Sequence, residues 1–192
     1  MKTAVFGGTF NPVHIGHLII AEEVLAQTDC DRVLFVPANI PPHKEVDDPG
    51  PELRLAMLRD STAGYSRFSV SDCEIRRSGV SYTIDTLRYL VSQGVLGPFP
   101  SLIIGDDLIE GFGSWKEHDA LVRESRVIIV HRKYMQRLNT SINHLYIDNE
   151  IFPVSSTMIR GRIQEGKAWR YLVPEAARKT IEEHRLYGLQ GS

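Results

Sequence analysis

The chain opens Thr3-Ala4-Val5-Phe6-Gly7-Gly8-Thr9-Phe10-Asn11-Pro12-Val13-His14-Ile15-Gly16-His17, and this stretch limits the possible folds more than any other. Thr3, Ala4, Val5 and Phe6 favour an extended strand. Two glycines and Asn-Pro then force a sharp turn. From Gly16 the apolar residues Leu18, Ile19, Val24 and Leu25 fall at helical spacing, ending near Thr28. A strand, a glycine turn and a helix start make a place to hold phosphate. The glycines let backbone N–H groups approach an anion, and the helix start adds unpaired donors and a positive dipole end. Two histidines, three residues apart, stand on one face of that start. As metal ligands they would need a third, for which His43 is the only obvious candidate. Behind a Gly-Gly turn, phosphate contacts are the favoured reading. Nearby phosphate would favour the protonated imidazole, which donates from both nitrogens.

The rest of the chain repeats the alternation. Strands are expected at 32–36, 68–70, 101–104, 126–130 and 144–147, with the second of these extending through Cys73-Glu74-Ile75. Helices are expected at 52–61, from 83, 155–164 and 174–184, with short helical pieces around Trp115. Strands alternating with helices predict an α/β fold, doubly wound on a mostly parallel sheet. Ligands gather at the carboxyl ends of such strands. The segments there are 7–17, 37–44, 105–115 and His131-Arg132-Lys133, and they hold most of the unusual chemistry. Segment 37–50 is the expected one to order on substrate binding.

Bulk properties exclude several function classes. A chain of 192 residues without a linker or repeat is expected to form a single domain over 1–192. A net charge of −2 offers no general basic surface, so no nucleic-acid partner is expected. No apolar run reaches the length of a membrane span, and Met-Lys followed at once by a strand is not a signal peptide. Cys30 and Cys73 match no metal spacing and suit a reducing compartment. The cytoplasm is therefore the expected location, without a membrane partner.

Four more constellations stand out. Val154-Ser155-Ser156-Thr157-Met158-Ile159-Arg160 is either a capped surface helix or a second helix start aimed at phosphate, with hydroxyls and a guanidinium added. Pro41-Pro42-His43-Lys44 is a stiff extended loop whose lysine is either solvated or a phosphate contact. Ser81-Tyr82-Thr83-Ile84-Asp85-Thr86-Leu87 is a capped amphipathic helix start, or an anion site fit for a carboxylate. Gly105-Asp106-Asp107 precedes Trp115, which is either a packed tryptophan or a stacking face.

Taken together, these motifs resemble one family. Gly7-Gly8-Thr9-Phe10-Asn11-Pro12-x-His14-x-Gly16-His17 looks like the signature of nucleotidyltransferases that carry H-x-G-H, and Ser155-Ser156-Thr157-x-x-Arg160 like their second motif. His14-Ile15-Gly16-His17 also resembles class I aminoacyl-tRNA synthetases, but the K-M-S-K-S loop that accompanies it there does not occur in this sequence. Val36-Pro37-Ala38-Asn39, Pro41-Pro42-His43-Lys44, the 81–87 segment, and Asp107 with Trp115 eight residues later narrow the resemblance to bacterial-type nicotinate mononucleotide adenylyltransferases. The match runs over nearly the whole chain, to Tyr171-Leu172-Val173-Pro174 and His184-Arg185-Leu186-Tyr187-Gly188.

The resemblance implies a Rossmann-like fold and adenylyl transfer from ATP, with its Mg2+, to nicotinate mononucleotide. A homo-oligomer is possible, and no protein-held metal is implied. It implies catalytic roles for His14, His17, Lys44 and Arg160. For ATP it implies Gly7, Gly8, Thr9, Phe10, Gly16, Gly105, Asp107, Ser155, Ser156 and Thr157, with Asp107 on ribose hydroxyls. For the mononucleotide it implies Asn39, Tyr82, Thr83, Trp115 and Arg132, with Trp115 stacked on the pyridine ring. Two positions depart from the family pattern. Asn11 replaces the more usual Asp, and Lys133-Tyr134 replaces the Pro-Gly that commonly follows the arginine.

Overall fold

The computed structural model describes residues 1–40 and 48–190. These residues form one sheet of six parallel strands in the order β3-β2-β1-β4-β5-β6. The strands are β1 Thr3–Gly8, β2 Arg32–Pro37, β3 Phe68–Val70, β4 Ser101–Gly105, β5 Arg126–Val130 and β6 His144–Ile147. The sheet is thus wholly parallel, where sequence patterning called for a mostly parallel one. Its central strands read as continuous apolar runs because both faces are covered.

Side chains alternate across each strand. Ala4, Phe6, Val33, Phe35, Ile103, Ile128 and Val130 enter one core. There they meet α1 (Ile15–Gln27), α2 (Pro51–Thr62), α7 (Ser156–Gln164) and α8 (Glu175–Glu183). Val5, Leu34, Val36, Leu102, Ile104, Val127 and Ile129 enter the other. That face is covered by α3 (Cys73–Arg77), α4 (Thr83–Ser92), α5 (Ile109–Phe112) and α6 (His118–Glu124).

One expected element is different. Cys73-Glu74-Ile75 does not prolong β3 but begins α3. Short apolar runs do not separate strand from helix by periodicity. Asp72 decides it here: its carbonyl accepts the Arg76 N–H at 2.9 Å, and its carboxylate pairs with Arg76 at 2.6 Å, one helical turn on. Cys73 and Glu74 are both buried, so the turn is also fixed by packing.

Strand order reverses between β1 and β4. Doubly wound sheets open a crevice at the carboxyl ends of strands at such a switch point. Gly7 and Gly8 end β1 and Gly105 ends β4, so the glycine turns flank that crevice.

Candidate active site

The turn after β1 is rigid and crowded. Phe10 takes a left-handed backbone (φ 51°) and is buried, with its ring 4.9 Å from that of His17 and 5.9 Å from those of Phe6 and Phe35. A Cβ on Gly8 would lie 3.1 Å from the Phe10 ring, which is why glycine suits that position. The Asn11–Pro12 bond is cis. A Cβ on Gly16 would sit 2.8 Å from Val154, so glycine lets the start of α1 approach the strand-like segment before α7.

The two histidines are coupled at the head of α1. Their rings stack at 3.6 Å and 26°. The His14 backbone N–H donates to His17 Nδ1 at 3.2 Å. A neutral His17 therefore carries its proton on Nε2. Burial pushes both imidazoles down, with Arg132 nearby adding to it. His14 falls to about 3, and His17, which also feels His14, lies well below its usual value. In the free protein the two stacked, buried imidazoles stay neutral; the protonated form expected from the sequence is the one that nearby phosphate would favour. Among the described residues, neither ring nitrogen of His14 has a hydrogen-bond partner, although both are buried.

Helix α7 is tied to this turn by two bonds. Ser155 caps it, accepting the Met158 N–H at 3.2 Å. Ser156 Oγ donates to the Pro12 carbonyl at 2.9 Å, and Arg160 Nη1 donates to the Asn11 carbonyl at 2.8 Å. Thr157 Oγ1 lies 3.5 Å from Arg160 Nη2. Tyr187, near the end of the chain, donates to Asn11 Oδ1 at 2.8 Å. Asn11 therefore binds the turn to the C-terminal segment through its amide oxygen.

A third strand end completes the wall. Asp106, fully buried, accepts the successive N–H groups of Arg132 (3.0 Å), Lys133 (2.9 Å) and Tyr134 (3.2 Å). Asn149 adds two bonds to the His131 backbone. This holds Arg132 3.4 Å from the Asp107 carboxylate. A Cβ on Gly105 would run into both side chains.

These pieces enclose a cleft of about 360 Å3. His14, Gly16, Asp107, Arg132 and Ser155 line it, together with Ile20, Phe152, Val154 and Met158. Five of the nineteen expected residues thus meet at one polar end beside an apolar wall. His17, Gly8 and Phe10 stand behind His14. No crowding near Gly7 accounts for a glycine there. Arg132, expected to bind the mononucleotide, lines this cleft.

The other expected residues form a second group. The Asn39 N–H donates to Ser81 Oγ at 3.0 Å, and Asn39 Nδ2 to the Gly79 carbonyl at 3.1 Å. Tyr82 and Thr83 begin α4. Lys116 Nζ lies 4.9 Å over the Tyr82 ring and pairs with Asp85 at 2.8 Å. Trp115 is half-buried, edge-on to Phe112 at 4.9 Å. Lys44 lies outside the described residues.

A profile of the cytidylyltransferase-like family matches residues 5–162. A Borrelia hermsii protein named a probable nicotinate-nucleotide adenylyltransferase is 39% identical over 187 residues, covering 97% of this chain and 98% of that one. The chain belongs to the nicotinate-nucleotide adenylyltransferase family. Another relative of that name, from a Synechococcus species, is 42% identical over 97% of this chain and 96% of its own. The solved Plasmodium falciparum nicotinic acid mononucleotide adenylyltransferase complexed with NaAD matches with a TM-score of 0.82 over 99% of both chains, at 19% identity. At that identity the likeness carries the fold alone.

In this nicotinate-nucleotide adenylyltransferase family member, sequence reading passed over three buried side chains that brace the loops at the strand ends: Arg54, Asp106 and Asn149. Arg54 left a trace. It stands three and four residues before Met57 and Leu58, on the apolar stripe of α2, where a charge requires partners. Asp106 and Asn149 left none, since they accept from or bridge to backbone that any residue carries.

Proposed function

We propose that the protein transfers the adenylyl group of ATP to nicotinate mononucleotide, giving nicotinate adenine dinucleotide and pyrophosphate. The carrying observation is His14: a buried imidazole on the wall of the cleft, with both nitrogens lacking a partner among the described residues. Buried polar groups are normally paired. A phosphate oxygen in the cleft would supply the partner.

The mononucleotide's phosphate is the nucleophile. Its second pKa is near 6, so it is largely dianionic at neutral pH and needs no protein base. One of its oxygens bonds to the α-phosphorus of ATP, the bond to the bridging β-oxygen breaks, and pyrophosphate leaves with that electron pair. The residues position two anions and stabilise developing charge. His17 Nε2–H serves the α-phosphate, and His14 the neighbouring oxygens. The start of α7 at Ser155, with Ser156, Thr157 and Arg160, faces the β- and γ-phosphates, with Lys44 as a further cation. Magnesium arrives with ATP and calls for few protein ligands. The apolar wall of Ile20, Val154 and Met158 takes the base, and Asp107 the ribose. Asn39, Tyr82, Thr83 and Trp115 receive the mononucleotide, whose carboxylate gains from the N–H groups at the start of α4. Arg132 stands close enough to His14 to act on phosphate from the ATP side. The chain acts as a single domain in the cytoplasm. Among the described residues, no helix is long and apolar enough to cross a membrane.

Pyrophosphate release with ATP plus nicotinate mononucleotide, nicotinamide mononucleotide or phosphopantetheine tests this reading. The highest kcat/KM is expected with nicotinate mononucleotide. Release with none of them would leave a nucleotide-binding module without transferase activity.

A further inference from the structure

Arg54 does not line the cleft, yet its side chain is fully buried in α2. A guanidinium can rest there only with partners. Nε donates to Asp48 Oδ1 at 2.9 Å. Nη1 donates to the carbonyls of Thr9 (2.8 Å) and Ala38 (2.7 Å), and Nη2 to that of Asn39 (3.1 Å). Three acceptors are backbone carbonyls, drawn from two different loops. Thr9 belongs to the phosphate turn after β1. Ala38 and Asn39 belong to the loop after β2. The ladder between those strands ends at Gly8 and Pro37, with one more bond from the Ala38 N–H to the Gly8 carbonyl at 2.9 Å. Beyond that point Arg54 bridges the two loops. Asn39 in turn donates to Ser81, just ahead of α4. A continuous path of bonds thus joins the phosphate turn to the proposed acceptor side.

We propose that Arg54 is a positioning residue for adenylyl transfer. It fixes the phosphate turn relative to the acceptor loop, so that the two bound substrates meet at reacting distance. This rests on the reaction proposed above. Transfer between two held anions depends on their relative placement, and small misplacements from remote changes lower rates by about 100-fold. Lysine cannot replace the guanidinium, because one ammonium lacks the planar fork that reaches both loops at once.

The test uses the full chain with Arg54→Lys, and with Asp48→Asn as a milder variant that keeps the guanidinium but weakens the charged anchor that holds it against the two loop carbonyls. In folded Arg54→Lys, kcat should fall roughly 100-fold, while ATP affinity measured without acceptor stays close to wild type. A purely structural arginine would lower the melting temperature and leave kcat per folded molecule unchanged. Amide exchange with α,β-methylene-ATP gives a readout without turnover. In the wild type the analogue should slow exchange at Thr9 and Phe10 and also at Ala38 and Asn39; in Arg54→Lys, only at the first pair. A folded Arg54→Lys with kcat within about twofold of wild type, or equal protection at Ala38 and Asn39 in both proteins, overturns the proposal. If Arg54→Lys does not fold, Asp48→Asn is read the same way: weakened protection at Ala38 and Asn39 supports the role, and unchanged protection overturns it. If the wild type makes no dinucleotide yet the protection at Ala38 and Asn39 is lost in the variant, the reaction is wrong and the positioning role stands.

Discussion

The two halves of the candidate site are built differently. On the proposed ATP side His14, His17 and Asp106 are buried, and the polar groups around them are already fixed by bonds to backbone. His14 and His17 stack on each other, Asp106 holds the backbone of Arg132, and Ser156 and Arg160 bind α7 to the Asn11–Pro12 turn. On the proposed acceptor side Tyr82 is exposed, Asn39, Thr83 and Trp115 are half-buried, and the Lys116–Asp85 pair is solvated. The contrast fits the two tasks. A polyphosphate gains most from donors that need no rearrangement as charge develops. A pyridine ring gains from one flat face and one helix start. The ATP half should therefore respond to substitution through kcat and through acid, and the acceptor half through KM.

The largest effect is expected at His17. Its Nε2–H is the donor left over once Nδ1 accepts the His14 N–H. His17→Ala should lower kcat by roughly 100- to 1,000-fold, the usual loss on removing one preset donor to a developing charge. The dissociation constant of nicotinate mononucleotide should change far less. Stopped-assay kinetics with a separate binding titration distinguish the two, and near-wild-type turnover would remove His17 from the reacting centre. Because the ring also packs on Phe6 and Phe10, the comparison is made on folded protein.

Acid should separate the halves next. Burial holds His14 at about 3, against 6.5 for an ordinary histidine. Between those values the unfolded chain binds a proton that the folded chain does not. Stability therefore falls as pH drops below about 6.5, by at most ~1.4 kcal/mol per pH unit for one such group. From pH 6.5 to 5, His14 alone contributes a loss of about 2 kcal/mol. Urea denaturation at pH 7.5 and 5 reads this directly. His14→Gln should lose correspondingly less stability over that interval. Equal losses in both proteins would mean that burial does not keep His14 neutral.

What could be read from the sequence follows from where each partner sits. The α/β alternation was legible because both periods, two and 3.6, are written in apolar side chains. The glycine turn and the Ser155 cap were legible because each uses a residue type suited to its backbone. The tail of β3 was misread because three residues cannot show a period, and Asp72 settled it through contacts one turn away. Arg54 and Asp106 went unnoticed for a related reason. Their partners are chiefly backbone carbonyls and N–H groups, and the charged partner of Arg54, Asp48, stands six residues away in the loop before α2, at no helical spacing from it. The departure at Lys133 gains a physical account only from the fold, since its N–H is one of the three that Asp106 accepts. Asn11 likewise needed the distant Tyr187 to explain it. The protonation of the histidines depends on burial, which no local spacing reveals.

The smallest of these effects is the one that bears most directly on the acceptor half. Trp115 packs edge-on to Phe112, leaving it only half-buried. A base or pyridine ring stacked on such a face typically gains ~1–3 kcal/mol. Trp115→Ala should therefore raise the KM for nicotinate mononucleotide by about tenfold and leave that for ATP nearly unchanged. The exposed face, not the Phe112 contact, carries this expectation, so Trp115→Phe should recover part of the loss by restoring a smaller ring. Equal rises in both KM values, with no recovery by phenylalanine, would make Trp115 a packing residue of α5 and α6. The two halves would then share one scaffold rather than divide the substrates between them.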